Sequence, residues 1–420
     1  MTTISNLPDE ILFMICENLN NVVDIVNLST CSKRLNFICK NSNITNSDVY
    51  TLITRNNSIT KMVNLCIDLC INFNKSIKLK LELPESKITD VSMLGNVHTI
   101  NLSYCYDLTD VAKLGNVHTL DLSMCKGIKD VSNLCNVHIL DLSHCNNVTD
   151  VSKLGNVHTL NLSNCFGLKD VSKLGGVHTL DLSHCLYLTD VSNLGNVYDL
   201  NLGCCDDITE FSNLGRVHTL NLYGCDGITD VSFLRNVHTL DLSYCDNVTD
   251  VSMLGKVNTL NLSYCDGISD VSKLGRVHNL NLSGCYNITD FSKLGKVHTL
   301  NLRSCDNLKY VSMLGKVHTL NLSFCQNVTD VSKLGNVYNL NLLGCYNISD
   351  VSMLGNVHTL NLRSCDISDV SNLGNVHTLD LSYCKNITDV SMLGNVRNLN
   401  LSDCRNVKDV SMLGNVSKLI

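Results

Sequence analysis

The sequence predicts an α/β repeat solenoid, a stack of short parallel strands joined by tight turns, with a small all-α unit in front of it. Three observations predict this. From Val91 the chain reads DVSMLGNVHTLNLSxCxxITD over and over, with starts every 20 residues up to Val351 and then at Val370 and Val390. Within each copy, apolar and polar residues alternate in the manner of a strand with one buried face. The first 45 residues follow a helical period instead.

Each element of the copy has a physical reading. Val97, Ile100 and Leu102 fit LxxLxL, with Cys105 and Leu108 following. Ile100 and Leu102 alternate with Thr99, Asn101 and Ser103, which predicts a short strand. Asp110 precedes ValAlaLysLeu, and Gly115 follows it. That order suggests an N-cap, one 3₁₀ or α turn and a C-terminal stop. One strand and one turn cannot bury their own apolar stripe, whereas stacked copies can. Val91, Leu94, Val97, Ile100, Leu102, Cys105 and Leu108 are expected to face inward. The spacing is that of a leucine-rich-repeat horseshoe with its parallel β-sheet on the concave face: 16 full copies over 91–420 and a truncated one from Val410.

Composition is consistent with this. Of the 420 residues 44% are hydrophobic, enough apolar surface to exclude wholesale disorder. The net charge of −7 is mildly acidic and argues against a nucleic-acid partner. No apolar run reaches the ~18 residues of a membrane span. The first twenty residues carry Asp9, Glu10 and Glu17 but no Lys or Arg, the reverse of a secretory leader. The 23 cysteines, an odd number, are therefore expected to be reduced thiols.

Residues 45–90 read as a linker and N-terminal cap with a degenerate first repeat. Residues 77–83 alternate as a strand, and Pro84 follows where a repeat would carry its Cys. At the other end Val416–Ile420 form a last strand with no polar residue after it, an edge open to pairing. Ahead of the cap, Pro8 suits the first turn of a helix, Asp9 and Glu10 suit its dipole, and Leu7, Ile11, Ile15 and Leu19 recur at helical spacing.

LPDEILFMICENL followed by DIVNLSTCSKRLNFI resembles an F-box over residues 5–44, most specifically in LeuProAspGlu at 7–10 and CysSerLysArg at 31–34. The resemblance implies that Leu7, Pro8, Ile11, Ile15, Leu28 and Cys31 meet the Skp-family adaptor of a cullin–RING ubiquitin ligase, with Lys33 and Arg34 nearby. Leu35 stands where many F-boxes have Trp, a departure that bears on docking strength. An F-box ahead of such repeats resembles the F-box/leucine-rich-repeat family, whose repeats hold a protein substrate. The implied function is a non-catalytic, cytoplasmic substrate-recognition adaptor without cofactor or metal. The alternative is a stand-alone interaction scaffold capped by the N-terminal helices. The regularity and Asn content also resemble repeat proteins of large DNA viruses of amoebae, which would place the chain in a host cytoplasm.

Chemistry is sought in what repeats and in what departs. Sixteen Cys occupy one position, Cys105 to Cys404, and read as a buried ladder of small side chains rather than nucleophiles or ligands. Twelve of the 14 His share one exposed strand position. They read as copied surface residues, or else as a pH-responsive or zinc-binding face. The recurring Asp110, Asp130 and Asp150 read as caps. Departures on the strand face supply the candidate substrate-binding residues: Tyr223, Arg303, Phe324, Tyr338, Leu343 and Arg363. Tyr198, Asp199 and the aromatics Tyr104, Tyr244, Tyr264 and Tyr383 break the pattern as well. Aromatics and Arg are favoured at interface hot spots.

Overall fold

Thr99 and Asn101 are half-buried on either side of Ile100, which is fully buried, and this three-residue alternation recurs in the full copies, with Ile139 exposed in place of a half-buried Thr. The computed structural model describes residues 49–53, 78–92 and 94–420. The F-box segment expected at 5–44, with Leu7, Pro8, Ile11, Ile15, Leu28 and Cys31, lies outside the described residues, as does most of the expected cap at 45–90. The chain divides into two compact units, 1–198 and 199–420.

In the N-terminal unit, β1 (Val49–Ile53), which the sequence pattern did not suggest, pairs in parallel with β2 (Lys78–Glu82). The latter is the degenerate strand expected at 77–83. It pairs in turn with β3 (Thr99–Asn101), Lys80 opposite Thr99 and Glu82 opposite Asn101. That register corrects one reading. Pro84 falls at the Ser103 position, and Ser86 takes the place of the Cys, its Oγ 3.3 Å from the Cys105 Sγ. From β3 onward each rung pairs with the next at the same residue, Thr99 with Thr119, Leu120 with Leu140 and Leu160 with Leu180.

The C-terminal unit repeats the scheme from Asp199–Asn201 to Lys418–Leu419, again with parallel pairing throughout its described strands. The shortened copy does not disturb it: Thr359 lies opposite Thr378 and Asn361 opposite Asp380. The missing residue is absorbed in the loop after Cys365, where Ile367 still reaches the core. Leu419 on the last strand and Ile420 after it are exposed.

All seven positions expected to face inward are buried in the first copy, and the pattern holds along both units until the last rungs, where Leu401, Val407 and Val416 are half-buried and Val410 is exposed. The turn is closed by Leu94 N–H donating to Val91 O (2.9 Å) and Val97 N–H to Leu94 O (3.0 Å). The Asp ahead of it acts as expected, but as an Asx turn rather than at the cap residue itself. Asp130 Oδ1 accepts the Ser132 N–H at 2.9 Å, and Asp250 does the same for Ser252 at 2.8 Å. Those hydrogen bonds hold both carboxyls below their ordinary range. Gly115 is not a left-handed stop, for its φ is −61°. Its requirement is steric: a Cβ there would lie 2.2 Å from the Asn133 carbonyl oxygen of the next rung.

The left-handed residue sits elsewhere. In all sixteen rungs the residue before the Cys has positive φ, among them Tyr104 (61°), Phe324 (62°), Gly284 and Gly344 (both 69°). A side chain there costs about 1 kcal/mol. Two hydrogen bonds offset this along the stack, as in the first rung: Tyr104 N–H donates to Ser123 O (2.8 Å), and Ser103 N–H to Asn101 Oδ1 (2.9 Å). The second bond explains why the last strand residue is Asn or Asp in every copy.

Candidate binding face

The Cys column offers no nucleophile. Each thiol is buried, and its S–H reaches back to the carbonyl of a Leu on the preceding rung, as Cys125 does to Leu102 at 3.1 Å and Cys245 to Leu222 at 3.1 Å. Burial pushes Cys125 up to about 12 and Cys245 higher still, so these thiols stay protonated. Cys135 and Cys204 lie outside the column and are half-exposed.

The His position forms a stack of rings. In the N-terminal unit His98, His118, His138, His158 and His178 follow at centroid spacings of 4.5–4.7 Å, and Tyr198 continues them at 4.8 Å. In the C-terminal unit Tyr338 stacks between His318 (4.9 Å) and His358 (4.4 Å). Most of these imidazoles share a hydrogen bond from Nδ1 to the hydroxyl of the next Thr, as His158 does with Thr159 at 3.2 Å. Lost hydration, then the His on either side, lowers the pKa of His158 and of His298. Among the described residues no group of three or more His, Cys, Asp or Glu could hold a metal ion.

Other departures from the copy stand at the other end of the strands, most of them in the C-terminal unit. There the strand-exit residue and the left-handed residue after it form neighbouring columns. Tyr223 meets the edge of Tyr244 at 5.3 Å, and Tyr244 stacks on Tyr264 at 4.9 Å. The stacked rings strip water from the Tyr244 phenol and raise its pKa. Farther along, the Arg303 guanidinium lies 4.6 Å from the centre of the Phe324 ring, and Arg363 lies equally close to Tyr383. Ser323 and Ser382, the residues before Phe324 and Tyr383, are buried, and neither Oγ has a hydrogen-bond partner among the described residues. Glycine makes room for the rings. A Cβ on Gly284 would come within 2.5 Å of the Tyr264 ring, and one on Gly344 within 2.9 Å of Phe324.

The six candidate residues therefore do not form one cluster. Arg303 and Phe324 are partners. Arg363 pairs with Tyr383, Tyr223 opens the tyrosine stack, and Leu343, half-buried, accepts the Phe324 N–H through its carbonyl (2.8 Å). Tyr338 belongs to the His column, about 10 Å away along a three-residue strand. The pairing was visible in the sequence as a two-rung signature: LeuArgSerCys at 302–305 precedes LeuSerPheCys at 322–325, and LeuArgSerCys at 362–365 precedes LeuSerTyrCys at 381–384. Such strips of exposed rings and guanidinium groups suit contact with a protein surface. Among the described residues no helix is long and apolar enough to cross a membrane.

Comparison with known proteins adds two kinds of likeness. No curated protein sequence matches this chain. Among solved structures, an internalin (InlF) from Listeria monocytogenes aligns at 20% identity over 77% of this chain and 95% of that one, with TM-score 0.44. The functional domain of InlJ from the same organism, described as including a cysteine ladder, aligns at 21% identity over 78% of this chain and 74% of that one, with TM-score 0.49. A leucine-rich-repeat protein of Leptospira interrogans aligns at 16% identity over 92% of this chain and 93% of that one, with TM-score 0.44. The F-box-like family matches residues 4–44. The chain thus carries an F-box-like segment at 4–44, and the repeats after it have the leucine-rich-repeat fold.

Proposed function

We propose that this protein is a non-catalytic substrate-recognition adaptor of a Skp–cullin–F-box type ubiquitin ligase, working in the cytoplasm. In this reading Leu7, Pro8, Ile11, Ile15, Leu28 and Cys31 dock a Skp-family adaptor. The strand face of the repeats holds the target protein, with Tyr223, Arg303, Phe324, Tyr338, Leu343 and Arg363 as contact residues. Ubiquitin transfer belongs to the partner subunits, so no acid, base or nucleophile is required of this chain. The observation that carries the reading is the F-box-like match at 4–44. The exposed Arg–aromatic pairs support the part concerning the target.

The test is co-precipitation of the full chain with a purified Skp-family adaptor, beside a Leu7→Ala/Pro8→Ala variant. Binding by the wild type that is lost in the variant supports the ligase role. Failure of the folded wild type to bind overturns it and leaves an interaction scaffold as the better account.

A further inference from the structure

On the turn side of the C-terminal unit lies a trough of about 1110 Å³ whose charged lining residues are all cations. Its shape follows from the repeat. Gly255, Gly275 and Gly295 form the floor, where a Cβ would crowd the next rung's carbonyl oxygen. The residue after each glycine makes one wall: Lys256, Arg276, Lys296 and Lys316. The residue two before it makes the other, where Lys273 and Lys293 stand between Met253 and Met313. Arg235 replaces the floor glycine at one end and closes the trough.

All seven cations are exposed, and none is in an ion pair among the described residues. The nearest acids belong to the turns. Asp270 and Asp290 feel Lys273 and Lys293, but each already accepts a backbone N–H, from Ser272 and Ser292. The charge is also local. At the position of Lys256, Arg276, Lys296 and Lys316, the flanking rungs carry asparagine, Asn236 on one side and Asn336, Asn356, Asn375, Asn395 and Asn415 on the other, and Arg216 is a separate cation beyond Asn236. Four consecutive rungs have exchanged a neutral residue for a cation.

We propose that this trough binds an extended acidic peptide segment of a partner protein. Rungs spaced ~4.8 Å apart give it a length on the order of 20 Å, or about six residues of extended chain. The side-chain-free floor admits a peptide backbone, the flexible lysines reach carboxylates along it, and the two methionines offer adaptable apolar contact at the rim. A single-stranded nucleic acid fits less well, because no aromatic ring lines the trough to stack its bases. The proposal goes beyond the ligase reading and does not depend on it, since the trough lies on the turn side and involves no residue of 4–44.

The test is fluorescence anisotropy with the full chain, at low and at moderate salt. The probes are a labelled 12-residue peptide of alternating Glu and Ser, the same peptide with Gln for Glu, and a 12-nucleotide oligothymidylate. The variant Lys256→Asn/Arg276→Asn/Lys296→Asn/Lys316→Asn installs the residue that other rungs carry at this position, and circular dichroism confirms that it folds. The control Lys113→Asn/Lys153→Asn/Lys173→Asn removes turn-side cations from the other unit. Salt-sensitive binding of the Glu peptide but not the Gln peptide, weakened at least tenfold in the trough variant and less than twofold in the control, is the expected result. No binding by the wild type, equal weakening in both variants, or tighter binding of the oligonucleotide than of the Glu peptide would overturn the proposal.

Discussion

The guanidinium of Arg363 lies 4.6 Å from the centre of the Tyr383 ring, one rung further on, and Ser382, the residue before that tyrosine, is buried. Arg303, Ser323 and Phe324 repeat the arrangement three rungs earlier. Both pairs present a planar cation and a ring on the same strip, and both are separable from the core. The double variant Arg303→Ala/Arg363→Ala is expected to lose only about 1 kcal/mol of stability, the scale of exposed cation–π contacts. On the proposed function it should lose target capture. A urea titration beside quantitative co-precipitation checks this, and a fall in stability without a fall in capture would count against the strip as a binding surface.

Two glycines should respond differently to the same methyl group. Gly284 has φ of +69°, and its added Cβ would meet the Tyr264 ring, which can swing aside. Gly255 has an ordinary φ, but its Cβ would lie 2.4 Å from the Lys273 carbonyl oxygen, which is backbone, so a turn must shift as a whole to admit it, as the turns of Cys135 and Arg235 admit theirs. Gly284→Ala is expected to cost about 1 kcal/mol, and less in a Tyr264→Ala background. Gly255→Ala is expected to cost more, about 3 kcal/mol, as overpacking does. Thermal melts of the three variants give the ordering.

Thiol chemistry should follow exposure rather than number. Cys135 and Cys204 are the half-exposed cysteines of the described residues, whereas the column thiols are buried and protonated. Iodoacetamide applied to the native protein should therefore label Cys135 and Cys204 and spare Cys245. Cys204 should react slowly for its exposure, because desolvation raises its pKa. Peptide mapping by mass spectrometry reads the pattern. Rapid labelling of Cys245 in the folded protein would contradict the ladder.

Acid should weaken the repeat through its imidazoles before its carboxylates. His158 and His298 have folded pKa values below the ordinary one, so the unfolded chain binds more protons in acid. Their penalty is absent well above about 6.5, grows as pH falls through that value toward the lowered folded values, and then levels off. The turn aspartates, also lowered, act only near and below their own ordinary value, in more acid solution. Urea titrations at pH 7.5, 6.5 and 5.5 should show falling stability, and His298→Asn, which copies Asn258, should reduce the fall. An unchanged fall in that variant would exclude His298 as a source.

The core was readable because burial repeats. Once Ile100 and Leu102 were seen to alternate with Thr99 and Asn101, the same seven positions could be placed inward in every rung. The backbone devices were harder to read. Asn101 and its equivalents look like surface residues, and only the turn after the strand shows that their side chains hold the Ser103-type N–H. The left-handed residue was masked because Tyr, His, Ser and Phe together fill it more often than Gly does, the fold imposing a conformation the side chain does not favour. Gly115 was assigned the right importance for the wrong cause. The candidate site was only partly readable. Arg303 and Phe324 stand out as departures, but their pairing needs the 20-residue register, and Tyr338 lies on the other border of the strands. The trough escaped notice because its cations are twenty residues apart in sequence and form a cluster only after stacking.

The unchanging register between neighbours also bears on how such a chain can change length. Thr359 pairs with Thr378 across a copy that is one residue short, so the sheet tolerates a lesion placed in the loop after Cys365. Excision or duplication of any whole copy would leave each remaining strand opposite an equivalent neighbour. Recombination between near-identical coding repeats can therefore alter copy number without a folding penalty at the junction, while carrying marked rungs such as the one that holds both Lys296 and Arg303 to new neighbours. The trough and the Arg–aromatic pairs each span adjacent copies, so they would be inherited as cassettes, assembled or split according to where the crossover falls.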